Sequence, residues 1–360
     1  MVTHSNAGDR SPSLRRDTAL TPHEINRRAR AAAADIVREG EADNTRRSYA
    51  SALRYWCAWA EARYGQALPF PVPVATVVQF IVDHTARNHE DQLVHELPEA
   101  IDQKLVRSRV KAALGPLKLS TVTHRIAALS KLHQLRELKP NPCEDPSVRH
   151  LLSQARRAAA KRGERPRQQN AATKAPLTAM IATCDDSLQG IRDRAILYFA
   201  WSSGGRRRSE VAQATIEQLT PTDEGYLFDL YRSKSNQDGR ASIPKPIRGQ
   251  AAQALATWLN ASSIEDGPIF RRLWRERVGP ALSPAAIGDV VKRRARQAGL
   301  DGRWAGHSLR AGFITEAGKQ GLALGDVMAM TEQRRVDTVL GYYRAGELAS
   351  ASISDLLESS

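Results

Sequence analysis

The apolar residues in the first half of this chain recur at the spacing of one helical face. Tyr49, Leu53, Trp56 and Ala60 follow one another at steps of 4, 3 and 4, the stripe that an amphipathic helix turns toward a core. Val122, Ile126, Leu129, Leu132 and Leu135 repeat the pattern behind Ser120 or Thr121 as cap. Asp145-Pro146 places an N-cap before a proline at the first helical position, and that helix runs through Leu151, Leu152 and Ala155 to Gly163. A helix over 22–39 stops at Gly40, and another over 76–84 turns Val78, Ile81 and Val82 inward. The charged stretch 88–115 is less patterned and is read as a loop with one helix over 104–113. The first half therefore packs helix on helix.

The second half mixes elements. Ile191, Ala195, Ile196, Phe199 and Ala200 mark a buried helix. Tyr226-Leu227-Phe228-Asp229-Leu230-Tyr231 has the length and residue types of a strand. Asn236-Gln237-Asp238-Gly239 turns it and 241–244 returns, giving a hairpin with Lys234 near its tip. Ser283-Pro284 caps a helix that carries Lys292-Arg293-Arg294 and closes at Gly299. Between the halves, 157–174 is basic, polar and short of apolar residues, the composition of a linker. The expected layout is an arm over 1–21, read as disordered, a helical domain over 22–160, a linker over 161–175, a mixed domain over 176–345 and a tail over 346–360.

Charge narrows the partner. Lys and Arg number 53 against 39 Asp and Glu, a formal net charge of +14, and the isoelectric point near 10.0 suits a polyanion. The three cysteines, Cys57, Cys143 and Cys184, lie far apart without zinc-ligand spacing, and their odd number argues against a disulfide framework. A reduced cytoplasm fits, with no metal or cofactor implied. No apolar run approaches the roughly 20 residues of a bilayer span.

Four short motifs fall in a set order: Gly205-Arg206-Arg207-Arg208-Ser209-Glu210, Ser233-Lys234-Ser235, Gly306-His307-Ser308-Leu309-Arg310, and Val336-Asp337-Thr338-Val339-Leu340-Gly341-Tyr342. Each polar residue taken alone is an ordinary one: Lys234 a turn lysine, Glu210 an ion-pair partner one turn from an arginine, Tyr342 a half-buried aromatic. Together they resemble the tyrosine recombinase (phage integrase) family, with a two-domain layout similar to Cre. The resemblance is strict over 190–345 and looser over the helices at 44–60 and 120–135.

The resemblance implies a mainly α protein: an all-α core-binding domain followed by an α+β catalytic domain with a small antiparallel sheet. It implies cleavage and rejoining of DNA without metal or ATP. Arg207 and Arg310 would fork N–H donors onto the non-bridging oxygens of the attacked phosphate. Tyr342 would be the nucleophile, His307 an acid/base three residues before Arg310, Lys234 the acid for the leaving 5′ oxygen, and Glu210 the buried support of Arg207. The family places His or Trp nine residues before the nucleophile, where this chain has Gln333. A Gln amide still donates a hydrogen bond but carries no charge, so a reduced or context-dependent rate is expected. Counting selects Tyr342 over its neighbour Tyr343.

In the family two domains clamp the duplex. Candidate contacts here are Arg46, Arg47, Thr121, His124, Arg125 and Lys131 on the matching helices, with Arg47 and His124 facing the groove. Arg156, Arg157, Lys161 and Arg162 would lie against phosphates, and Lys292 and Arg293 toward the major groove. The tail holds Leu348, Ile353, Leu356 and Leu357, suited to docking on a neighbouring subunit or to packing in cis. The expected function is site-specific recombination of double-stranded DNA by a homotetramer through a 3′-phosphotyrosyl intermediate and a Holliday junction, in a bacterial nucleoid. The rivals are a catalytically weak DNA-binding protein of the same fold, a type IB topoisomerase, and a basic architectural protein.

Overall fold

The computed structural model describes residues 29, 32, 35, 36, 43–164, 169–230, 243–275 and 277–350. The expected arm, most of the helix over 22–39, Lys234 with its turn, and the tail beyond 350 lie outside the described residues. The chain divides into two compact units, Met1–Arg165 and Pro166–Ser360.

The first unit is built from α1 (Asp43–Tyr64), α2 (Val74–His84), α3 (Glu99–Arg107), α4 (Leu119–Leu135) and α5 (Pro146–Lys161), with a small hairpin of β1 (Arg87–His89) and β2 (Gln92–Val94). Of the stripe expected on α1, Trp56 and Ala60 are buried and Tyr49 and Leu53 half-buried, while Tyr55 and Trp59, outside it, complete an aromatic core. Tyr55, Trp56, Trp59 and Phe80 are all buried, and the Trp56 ring stacks on Phe80 at 3.8 Å. Each such side chain removes about 150–250 Å² from water. Their polar ends are satisfied inside the unit: Trp59 Nε1 donates to Asp83 Oδ2 at 2.9 Å and Trp56 Nε1 to the Arg125 carbonyl at 2.9 Å. Asp145 caps α5, accepting from the Ser147 amide at 2.8 Å.

Three expectations shift here. Residues 88–115 are not one loop: Glu90 and Asp91 take positive φ and close the β1–β2 turn. The helix expected over 104–113 is α3, set earlier by Pro98 at its N-cap, and Lys111 beyond it is buried on the Asp102 carboxylate. On α2, Val77, Phe80 and Ile81 are the buried apolar residues, with Val78 and Val82 only half-buried.

The second unit contains α6 (Lys174–Ala182), α7 (Leu188–Ser202), α8 (Arg208–Gln213), β3 (Leu219–Thr222), β4 (Gly225–Phe228), β5 (Lys245–Arg248), α9 (Gly249–Ser262), β6 (Arg271–Trp274), β7 (Arg277–Ala281), α10 (Pro284–Gln297), α11 (Gly306–Lys319), α12 (Leu324–Thr331) and α13 (Val336–Ser350). Strands β3, β4 and β5 form an antiparallel sheet in that order, and β6 pairs with β7. Phe199 of α7, Phe228 of β4, Trp258 of α9 and Phe270 meet in its core. The returning strand of the sheet runs over Lys245–Arg248, later than the 241–244 expected, and Asp229 and Leu230 lie past the end of β4. Part of the expected linker belongs to this unit: the Asn170 amide donates to the Arg303 carbonyl at 2.9 Å, and the Ala172 amide to the Ser308 carbonyl at 2.8 Å.

Helix α13 lies close on α11 because glycines face the contact. A Cβ on Gly318 would stand 2.2 Å from the Tyr343 carbonyl oxygen, and one on Gly346 2.0 Å from that of Thr315. This approach brings the Tyr342 side chain to the first turn of α11.

Candidate active site

The three consecutive arginines after Gly205 go three ways. Arg206 is fully buried and donates to the Met330 carbonyl. Arg207 is half-buried at the N-cap of α8, and its Nη1 donates to Glu210 Oε1 at 2.6 Å. Arg208 is exposed and lies across Gly306, where a Cβ would stand 2.2 Å from its side chain. The Glu210 carboxylate also accepts from the Arg207 amide at 3.0 Å. Burial works against its ionisation, but Arg206 and Arg207 hold its carboxyl below the ordinary range.

The Gly204–Gly205 turn seats this segment on its neighbours. Both glycines take positive φ, and a Cβ on Gly205 would stand 2.4 Å from the Arg310 Cα. Arg310 itself is buried on α11. Its Nη1 donates to the Gly205 carbonyl at 3.2 Å, and its Nη2 to the Thr331 carbonyl. Nε is buried without a hydrogen-bond partner. Burial first, then Arg207 and Arg206, draw its pKa down to about 9, which leaves it charged at neutral pH.

One turn earlier on α11, the exposed His307 meets Tyr342. Nε2 lies 3.2 Å from the tyrosine hydroxyl, with the rings edge to face. The residue is exposed by surface area, yet its ring is partly desolvated by its neighbours; that, then Arg310 and Arg207, lowers the His307 pKa and favours the neutral ring. In the tautomer with hydrogen on Nδ1, the Tyr342 hydroxyl donates to a bare Nε2. Tyr343 goes elsewhere: it is buried, and its hydroxyl donates to the Leu322 carbonyl.

Gln333 follows α12 and is half-buried, with Oε1 lacking a hydrogen-bond partner. The structure thus gathers Arg207, Glu210, His307, Arg310 and Tyr342 from α8, α11 and α13, while Lys234 lies outside the described residues. Sequence reasoning missed Arg206 and Lys245, which are buried just behind these groups, and the half-buried Glu332 beside them. The spacing of Arg206 and Glu210 by four residues was one available signal, and the pair stands 3.9 Å apart. Nothing local distinguishes Lys245 from the other lysines. Among the described residues no group of three or more His, Cys, Asp or Glu is placed to hold a metal ion.

Of the proposed DNA contacts, Arg46, Arg47 and His124 are exposed on α1 and α4, and Thr121 and Lys131 are half-buried. The His124 ring nitrogen lies 2.9 Å from Ser48 Oγ, so the polar edges of α1 and α4 adjoin. Arg156, Arg157 and Lys161 are exposed on α5, while Arg162 pairs with Glu164 at 2.8 Å. Arg125, a candidate DNA contact, is half-buried, with its guanidinium 3.2 Å over the Tyr55 ring. Arg293 is likewise half-buried on Asp193, where Arg192 and Arg294 also converge, while Lys292 is exposed beside Asp289. A buried carboxylate outcompetes solvent for those guanidinia.

Residues 171–348 match the sequence model of the phage integrase family. The chain is 28% identical over 327 residues to an integrase/recombinase XerD homologue of Selenomonas ruminantium, covering 87% of this chain and 84% of that protein. It is 25% identical to tyrosine recombinase XerD of Ralstonia nicotianae, covering 85% of each. The fold is similar to that of the Tn1549 transposon integrase solved in complex with transposon right end DNA, with a TM-score of 0.55 at 12% identity, covering 91% of this chain and 98% of that one. It is also similar to a lambda integrase dimer bound to a core site, with a TM-score of 0.53 at 12% identity over 88% and 94% of the chains. Residues 171–348 therefore carry a phage integrase family domain, and the relatives matched along most of the chain are named integrases and tyrosine recombinases, DNA breaking-rejoining enzymes. No helix among the described residues is long and apolar enough to cross a membrane.

Proposed function

We propose that this protein is a site-specific recombinase that uses Tyr342 to break and reseal DNA strands. The Tyr342 oxygen attacks the scissile phosphorus in line, the phenolic proton passes to His307, and the bond from phosphorus to the 5′ oxygen breaks. Lys234 supplies the proton that leaves with the 5′ hydroxyl. The 3′-phosphotyrosyl ester keeps the energy of the broken linkage, so attack by a 5′ hydroxyl reseals the strand without ATP. Arg207 and Arg310 hold the charge that grows on the non-bridging oxygens, the term that usually dominates such catalysis. Four protomers on two duplexes, two active at a time, would exchange strands through a Holliday junction. A lambda integrase tetramer bound to such a junction shares the fold, with a TM-score of 0.52 at 12% identity over 86% of this chain and 74% of that one. The reaction belongs to the cytoplasm, at the nucleoid.

The observation that carries this reading is the 3.2 Å contact of Tyr342 with His307, one helical turn from Arg310. Arg310 keeps one N–H, at the buried Nε, without a hydrogen-bond partner. The test is covalent trapping on nicked duplexes taken from the DNA flanking the gene. The parent and Tyr343→Phe proteins should form a protein–DNA adduct at one mapped position, and Tyr342→Phe none. Adduct lost only in Tyr343→Phe would move the nucleophile by one residue. Relaxation of supercoils without a preferred site would assign the topoisomerase activity instead, and binding without any adduct a DNA-binding role.

A further inference from the structure

The C-terminus of α12 is closed by side chains. A helix leaves its last four carbonyls without intrahelical partners. Here Met328 O accepts from Thr331 Oγ1 at 3.4 Å, Ala329 O from Lys245 Nζ at 3.0 Å, Met330 O from Arg206, and Thr331 O from Arg310. Three buried cations thus sit on the negative end of one short helix, where cations are favoured. One of them, Arg310, belongs to the reaction as proposed above, whereas Arg206 and Lys245 are buried and paired with the α12 carbonyls and with Glu332.

Glu332 balances those two. Its carboxylate lies 3.5 Å from Lys245 Nζ and 4.0 Å from Arg206 Nη1, with the side chain 12% exposed. Its backbone is left-handed, φ +52°, a conformation that disfavours a side chain and that glycine adopts freely. A strained residue persists where its surroundings hold it, and here the holding groups are Arg206 and Lys245. The next residue is Gln333, which leads into the segment that carries Tyr342. Lys245 opens β5, the strand that follows the undescribed stretch bearing Lys234.

We propose that Glu332 is a positioning residue for strand cleavage: clamped between Arg206 and Lys245 at the end of α12, its carboxylate fixes where Gln333 and the Arg310 guanidinium stand relative to Tyr342. This rests on the recombinase reading for its consequence and on the α12 contacts for its geometry. Removing the carboxylate leaves two buried cations near Arg310, Arg206 with Glu210 at 3.9 Å and Lys245 with Asp229 as the acid that still acts on it. Like charges in a poorly solvated site move apart, and the end of α12 moves with them.

The test uses the full chain. Glu332→Gly suits the left-handed backbone while deleting the charge. Cleavage in a single turnover at saturating DNA should fall about 10²-fold, the cost of an ångström-scale misplacement. DNA affinity by gel shift should stay within about threefold, since no phosphate contact is lost. Adding Arg206→Met removes one of the stranded cations and should restore at least about tenfold of the rate. Glu332→Gln serves as the same charge deletion should the glycine variant fail to fold. Hydrogen exchange over 324–335 reads the clamp without DNA and should quicken in the single variants alone. Parental cleavage rates in both single variants, a loss confined to affinity, or unchanged exchange would each overturn the proposal. Failure of the recombinase reading would appear separately, as a parent protein with no Tyr342-dependent adduct whose clamp still responds in exchange.

Discussion

Each unit of this protein contains a tyrosine hydrogen-bonded to a histidine, with an arginine nearby, and the two trios have opposite fates. In the first unit the Tyr55 hydroxyl and His84 Nε2 lie 2.7 Å apart, with Tyr55 1% and His84 0% exposed. Arg125 covers the Tyr55 ring, and His84 Nδ1 is spent on the Phe80 carbonyl at 2.7 Å. Burial pushes the Tyr55 hydroxyl up to about 12 and His84 down to about 3. In the second unit the Tyr342–His307 contact is looser, 3.2 Å, and open to solvent. Arg310 there leaves a donor unspent. Residue types and contact distance therefore do not make a nucleophile. Access for a phosphate and a surplus of cations around it do.

The largest expected effect separates the two tyrosines. Tyr342→Phe should abolish the covalent DNA adduct, because no other hydroxyl takes its place beside His307. Tyr55→Phe should form adduct at close to the parental rate and instead lose about 1–3 kcal/mol of stability, the cost of leaving a buried ring nitrogen without its partner. Adduct assays and denaturant midpoints on both variants check this. A Tyr55 variant that loses adduct while keeping its stability would erase the distinction.

Arg310→Lys comes next. Lysine keeps the charge but cannot serve the Gly205 carbonyl, the Thr331 carbonyl and an incoming oxygen from one rigid plane. Single-turnover cleavage should fall about 10²–10³-fold, as when one preorganised donor is removed. A drop under tenfold would mean that Arg310 is there to close α12 rather than to hold the phosphate.

The sealed histidine also predicts a pH dependence. His84 binds its proton in the folded protein only near pH 3, whereas an unfolded histidine does so near 6.5. Below about 6.5 the unfolded chain therefore holds the extra proton. The stability that neutral His84 contributes is complete above that value and declines as pH falls toward the folded pKa, by about 1.4 kcal/mol per pH unit. The charged groups acting on His84 are Arg125 of α4 and Lys111, which disfavour its protonation, and Asp102 of α3, which favours it. Comparing His84→Gln with the parent cancels the other titrations. The difference in unfolding free energy between them should vary with pH from 6.5 to 5, and a flat difference would show that the pair is not sealed.

How much of this could be read from the residues differs with the range of the contacts. The helices α1 and α4 and the cap at Asp145 follow from local spacing, but their faces only in part: Tyr55 and Trp59 are buried outside the expected stripe, Leu135 inside it is exposed, and β1–β2, which depends on two non-glycine residues at positive φ, was not legible. The motifs around Arg207, His307 and Tyr342 could be recognised from order and spacing. Tyr342 over Tyr343 followed from counting, and the structure puts the two hydroxyls on different partners. Arg125 and Arg293 were expected on DNA from their charge alone; a sequence does not show the Tyr55 ring or the Asp193 carboxylate that each one contacts. The clamp on α12 was invisible for the same reason: Arg206, Lys245 and Glu332 are joined only by tertiary contact.

The smallest expected effect concerns Gln333, where the chain departs from the family pattern. Its amide can donate a hydrogen bond to a phosphate oxygen, but a protonated imidazole donates a stronger one. Glu332 keeps the backbone at this point in place, so a side-chain exchange leaves the geometry of α12 intact. Gln333→His should therefore raise single-turnover cleavage about fivefold, the worth of ~1 kcal/mol in one hydrogen bond. The gain should be largest below pH 6.5, where the new ring carries its proton. The same change in a Glu332→Gly background should gain nothing, because the ring would no longer be held toward the phosphate. An equal gain in both backgrounds would show that residue 333 reaches its partner without the clamp, and no gain in either would remove it from the site.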